Sequence, residues 1–124
     1  MLVKLGAALA TLTALVHIFI GGYDTLLPLL SSSLDPEVLG AFHACWHMVG
    51  LVLAYSAWRF WLGGQIARHM AVLWIAFAVI FVCVGLWQAG LGGLLLLPQW
   101  ILLGPAGALV LLGSRRNQQE APLA

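Results

Sequence analysis

Long apolar runs constrain this chain more than any other feature of its sequence. Of its 124 residues, 63% are hydrophobic and only 7% are charged, whereas about a quarter of the residues of a soluble domain are charged. The composition therefore excludes a water-soluble fold. Because lipid cannot satisfy free backbone groups, segments that cross a membrane form helices or a closed barrel. The runs are continuously apolar and lack the alternation of barrel strands, which predicts helices.

Four such runs predict an all-α integral membrane protein with four transmembrane helices. They cover about residues 5–21, 37–62, 67–90 and 94–113. Since the connections between them are short or of medium length, the four helices should form a single up-down-up-down bundle. We expect one domain over residues 1–116 and a short polar cytoplasmic tail over residues 117–124.

Local signals mark some of the helix boundaries. At the start of the second run, Asp35 can cap a helix, Pro36 suits its first position, and Glu37 favours its positive end. The start of the fourth run has two interpretations. That helix begins either near Leu94, with Pro98 in its first turns, or at Pro98, with the preceding leucines in a connection.

The basic residues indicate how the helices are oriented. All of them lie at the same predicted end of the runs: Lys4, Arg59, Arg68, Arg115 and Arg116. Cytoplasmic loops of membrane proteins are enriched in Lys and Arg, so both termini should be cytoplasmic. We expect the protein to be integral to a bacterial inner (plasma) membrane, with the lipid bilayer as a partner. Nucleic acid is excluded as a partner, because the scattered basic residues form no basic face.

Three histidines are the main indication of function. His17 lies in the last turns of the first run, and His43 and His47 lie in the first turns of the second. Ionisable groups at membrane depth are costly and usually have a function. The histidines also lie on stripes of small residues at helical spacing, which mark faces where membrane helices approach closely. The three imidazoles should therefore face the interior and converge in the outer half of the bundle.

Three further polar residues are expected near the same pocket. Asp24 is predicted in the loop after the first helix, where it has no evident capping role and could ligate a metal or orient an imidazole. Gln88 lies near the outer end of the third run and Gln99 at the outer start of the fourth. Both are expected to line the pocket.

The histidine cluster suits a bound metal ion or haem. Imidazole is a good ligand for Cu, Zn or Fe, so His17, His43, His47 and Asp24 are candidate metal ligands. Haem b would instead need two histidines from different helices, namely His17 together with His43 or His47. Two alternatives remain: the histidines only hydrogen-bond between helices, or they serve proton or quinone chemistry.

Other side chains near the histidines have simpler interpretations. Cys45 and Met48 are soft potential copper ligands, but they point away from the face of His43 and His47 and are expected to pack. His69 lies at the opposite end of the runs, where it is expected to be interfacial and solvated.

These features favour a small membrane protein that binds a metal ion or haem b and acts in electron transfer or metal handling. We expect a binding protein rather than an enzyme, because the histidines come with no evident acid–base pair. One alternative is a non-catalytic accessory or assembly subunit of a larger membrane complex. Another is a small transporter subunit that works as a homo-oligomer, with the pocket at the interface between copies.

Overall fold

The chain is helical throughout the part that the structure describes. The computed structural model describes residues 1–119, and the side chains of residues 1–115. Within that range the elements are α1 (Leu2–Leu15), a π-helical segment (Val16–Leu26), α2 (Leu27–Leu30), α3 (Pro36–Leu62), α4 (Gly64–Ala89), a 3-10 turn (Gly90–Gly92), α5 (Gly93–Leu96) and α6 (Trp100–Gln119). The described residues form no strand, which confirms the all-α prediction.

Three helical stretches are long and apolar enough to cross a membrane: Leu2–Leu30, Pro36–Leu62 and Gly64–Leu96. The shortest of them would rise about 40 Å as an α-helix, against about 30 Å of hydrocarbon in a bilayer. The apolar part of α6, Trp100–Arg115, is shorter. These lengths and compositions are those of a protein embedded in a membrane and in contact with lipid.

The boundaries of α3 follow from local chemistry. The backbone N–H of Glu37 donates a 2.9 Å hydrogen bond to the Asp35 side chain, and Pro36 is the first helical residue. This confirms the predicted start. At the other end, Gly63 has a positive φ of 73°, a conformation that glycine adopts without strain and that ends the helix.

The last helix begins at Trp100, just after Pro98, the later of its two predicted starts. The preceding leucines belong to α5 and to the connection that follows it. The predicted tail, residues 117–124, is helical at its beginning, and from residue 120 onward it lies outside the described residues. The side chain of Arg116 also lies outside them.

The first helical stretch extends further than the sequence predicted. The prediction ended it near Gly21, but the chain stays helical to Leu30. Asp24 therefore lies in the π-helical segment and not in a loop, which corrects the expectation for its surroundings. A membrane offers no water to the carbonyl groups that a helix end would free, so the Gly21-Gly22 pair does not end this helix. In a π-helix the hydrogen bonds run to the fifth residue along the chain and keep the backbone satisfied.

The helices are arranged in the order α3, α1, α6, α4. α1 contacts α3 on one side and α6 on the other, and α6 also contacts α4. α3 and α4 contact each other less, close to the turn that joins them, where Ser56 Oγ lies 3.7 Å from Met70 Sδ. The contact between α6 and α4 is close at Gly107, where a Cβ atom would lie 2.6 Å from the carbonyl oxygen of Ala71.

The two ends of the helices differ in character. The basic end carries the cationic side chains of Lys4, Arg59, Arg68 and Arg115. The histidine end, opposite to it, carries His17, His43 and His47. At the basic end, Lys4 Nζ donates a 2.9 Å hydrogen bond to the carbonyl oxygen of Trp61 and lies 5.3 Å from the centroid of its ring. α1 and α3 are therefore antiparallel, since His17 of the first helical stretch contacts α3 at the histidine end.

The core lies mainly next to the basic end. Its largest fully buried apolar side chains are Trp74, Phe60 and Val110, and the rings of Phe60 and Trp74 lie 5.4 Å apart. The buried residues of α3 all belong to its second half, from Gly50 onward. In the single chain as described, the first half of α3 is thus largely uncovered, and this half carries two of the three histidines.

Candidate functional site

His17 is held against α3 by a single residue, Trp46. The imidazole stacks on the indole with ring centroids 4.2 Å apart and planes inclined by 17°. The Nε2 atom of His17 lies 3.2 Å from the carbonyl oxygen of Trp46. Because a carbonyl oxygen only accepts, Nε2 donates the proton in this hydrogen bond. A neutral imidazole in this arrangement keeps a lone pair on Nδ1, the atom that remains available to a ligand.

One glycine makes room for this contact, and a second lies beside it. A Cβ atom at Gly21 would come within 3.0 Å of Trp46 Cη2, so the indole edge lies close to the backbone there. Gly50 lies one turn after Trp46 on α3, and a Cβ atom there would lie 3.6 Å from His17 Cδ2, an ordinary van der Waals distance. The indole therefore contacts both His17 and Gly21 and joins the π-helical segment to α3.

His43 and His47 form a second group on α3. Their rings lie 4.9 Å apart with an interplanar angle of 45°, as the four-residue spacing on a helix predicts. Both side chains are exposed in the single chain, whereas the sequence predicted that they face the interior. Trp46 precedes His47 by one residue, or about 100° around the helix, and follows His43 by three, or about 60°. The π-helical segment contacts α3 at Trp46 and leaves the histidine pair exposed.

The three histidines are thus arranged as a pair and a single residue. His17 contacts Trp46, which lies on the same helix as the pair, three residues after His43 and one before His47. Among the residues that the structure describes, no three His, Cys, Asp or Glu side chains are grouped so that they could hold a metal ion. A site that uses His17, His43 and His47 together stays a prediction.

The other predicted pocket residues lie at the surface of the described chain. Asp24 is exposed and accepts a 2.8 Å hydrogen bond from the hydroxyl group of Thr25. Gln88 is exposed near the end of α4, and Gln99 is exposed just before α6. The proposed roles of Asp24 as a ligand and of the two glutamines as pocket residues stay predictions.

Trp46 is the residue of this region that sequence reasoning missed. A signal for it is present, since Trp46, Gly50, Leu53 and Ala57 recur at spacings of three and four residues, and the last three of them are buried. Cys45 and Met48 were expected to pack, but both are exposed in the single chain.

No protein-family model, no curated protein and no solved structure matches this chain. The candidate site therefore consists of the adjacent imidazoles of His43 and His47 on an uncovered part of α3, and of the imidazole of His17, which stacks on Trp46.

Proposed function

We propose that this membrane protein binds a metal ion or haem b at its histidine end and acts in electron transfer or metal handling. The main support for this proposal is the exposure of two neighbouring histidines on a membrane-length helix. His43 and His47 are exposed on the first half of a helix long enough to cross a membrane, with their rings 4.9 Å apart. Imidazoles that face lipid are costly. A ligand or a second protein surface that covers them would remove that cost.

The spacing of the pair suits coordination. Two histidines four residues apart project from the same face of a helix and can bind one ion together. Four-coordinate Zn or Cu needs further ligands, for which His17 Nδ1 and Asp24 are the candidates within the chain. A second copy of the chain that packs along α3 would supply the same pair again. Haem b would be held by His17 together with His43 or His47.

The membrane topology is part of the proposal. We propose that α6 is a fourth span and that both termini are cytoplasmic, in a bacterial inner membrane. The placement of the described Lys and Arg residues at the basic end supports this orientation. The apolar part of α6, Trp100–Arg115, rises about 24 Å, so a small thinning of the bilayer would accommodate it.

A second candidate function is that of an accessory or assembly subunit, or of one subunit of a homo-oligomeric transporter. The uncovered half of α3 favours it. Val38 is 41% exposed, Phe42 53% and Val49 45%, and their spacings of four and seven residues place them on one side of the helix, where a partner helix would contact them. In that case the histidines would hydrogen-bond across an interface between subunits and bind no cofactor.

Metal-induced stabilisation separates these two functions. Purified protein in mild detergent would be heated with and without added Zn²⁺, Cu²⁺ or haemin. A ligand that binds only the folded state raises the apparent Tm. We expect the increase in the native chain and in His69→Ala, whose histidine lies at the basic end, and we expect no increase in His43→Ala or His47→Ala. An equally small increase in apparent Tm in the native chain and in all three variants would contradict a site at His43 and His47.

A further inference from the structure

A cavity at the basic end is separate from the histidines of the proposed function. It lies between the first turns of α4 and the last described turns of α6 and has a volume of about 230 Å³. Six residues line it: Gln65, Arg68, His69, Val72, Leu111 and Arg115. It therefore combines two guanidinium groups from different helices with an imidazole, an amide and two aliphatic side chains.

The polar and apolar parts of this cavity are segregated along the helices. Arg68 and Arg115 lie at the ends of α4 and α6, where a membrane helix meets water. Val72 lies one turn deeper than Arg68, and Leu111 lies one turn deeper than Arg115. The cavity thus has a cationic rim and an aliphatic wall that continues toward the centre of the membrane.

The charge around the cavity favours an anion, because Arg68 and Arg115 bring two guanidinium groups to its rim. Guanidinium groups bind phosphate oxygens through parallel N–H donors, so Arg is the residue that suits a phosphate group best. Basic pockets between membrane helices on the cytoplasmic side are typical binding places for anionic headgroups.

We propose that this cavity binds the phosphate group of an anionic phospholipid. Arg68 and Arg115 hold the phosphate oxygens, while Val72 and Leu111 contact the first methylene groups of an acyl chain. A soluble phosphate ion shares the headgroup chemistry but has nothing to place against the aliphatic wall. The cavity favours the lipid for that reason.

Native mass spectrometry of the full chain in mild detergent tests the proposal. The protein would be titrated with phosphatidylglycerol, with phosphatidylcholine, and with phosphatidylglycerol in the presence of inorganic phosphate. We expect phosphatidylglycerol to bind more tightly than the zwitterionic lipid, and we expect inorganic phosphate at a similar concentration to leave it bound.

Three variants locate the site. Arg115→Gln should weaken phosphatidylglycerol binding about fivefold, the change that corresponds to about 1 kcal/mol for each basic residue at an anionic surface. Arg115→Lys should restore part of the loss because the charge is kept. Lys4→Gln is the control: it removes one charge from the same end of the bundle, on a helix that does not line the cavity.

Three results would overturn the proposal. Equal binding of the two lipids would exclude recognition of the anionic headgroup. Equal losses in Arg115→Gln and Lys4→Gln would assign the binding to the general charge of the basic end. Displacement of phosphatidylglycerol by inorganic phosphate would identify a site for soluble phosphate in place of a lipid.

Discussion

The imidazole of His17 lies nearly parallel to the indole of Trp46, with ring centroids 4.2 Å apart, and its Nε2 donates to the carbonyl oxygen of the same residue at 3.2 Å. One histidine therefore contacts both the side chain and the backbone of a single residue on the neighbouring helix. This double contact joins α3 to the first helical stretch at the histidine end. His43 and His47 lie beside it and are exposed, where a ligand or another chain can reach them.

Trp46→Ala should loosen the histidine end. The substitution removes the ring that stacks on His17 and fills the space against Gly21. Since Trp46 is only partly buried, we expect the free energy of unfolding to fall by about 1–3 kcal/mol, less than for a fully buried tryptophan. Unfolding in mixed micelles with increasing SDS measures it. Trp87→Ala is the matched control, because Trp87 is 87% exposed; equal losses in the two variants would contradict the contact.

Gly93→Ala should be one of the most damaging small substitutions in the chain. Its Cβ atom would overlap the carbonyl oxygen of Gly85, where α5 lies against α4. Backbone atoms on both sides cannot move aside as a flexible side chain can. The free energy of unfolding should therefore fall by about 3 kcal/mol or more. The neighbouring Gly92 has open space around its Cβ position. The same unfolding assay should find Gly92→Ala close to the native chain, and a similar loss there would contradict this packing.

The crossing of α6 and α4 gives a second matched pair of glycines. A Cβ atom at Gly107 would lie 2.6 Å from the carbonyl oxygen of Ala71, whereas one at Gly104 would lie 3.6 Å from Ala78 Cβ. Gly107→Ala gains helix propensity of about 1 kcal/mol, whereas at Gly104 the steric restriction on a residue before proline, here Pro105, offsets that gain. Gly104→Ala should therefore be close to neutral, while Gly107→Ala should lose about 1–3 kcal/mol of unfolding free energy. The opposite order of apparent Tm values would show that the helices cross elsewhere.

The helix boundaries that depend on local chemistry could be predicted from the sequence. Asp35 and Pro36 predicted the start of α3, and Gly63 and Gly90 end α3 and α4 with positive φ. The continuation of the first helix through Gly21 could not be predicted by the same rule, because glycine ends helices where water can take up the freed carbonyl groups.

The candidate site was predictable only in part. The four-residue spacing of His43 and His47 was enough to place their rings side by side. The direction in which the two rings point could not be predicted, because small residues and histidines share one stripe of the helix. At the histidine end, the first helical stretch contacts Trp46, whose ring stacks on His17 and lies close to Gly21. This is a tertiary contact between residues far apart in the chain, so helical periodicity does not predict it.

The metal content of the protein as purified from cells tests whether the histidine end binds a metal ion. Elemental mass spectrometry would measure Cu, Zn and Fe for each chain in the native protein, in His47→Ala and in His69→Ala. We predict close to one metal ion for each site in the native chain and in His69→Ala, and its loss in His47→Ala; iron would lead next to a haem absorption spectrum. Metal at background level in all three proteins, even after growth in metal-supplemented medium, would contradict the proposed site and leave the histidines as contacts between helices or subunits.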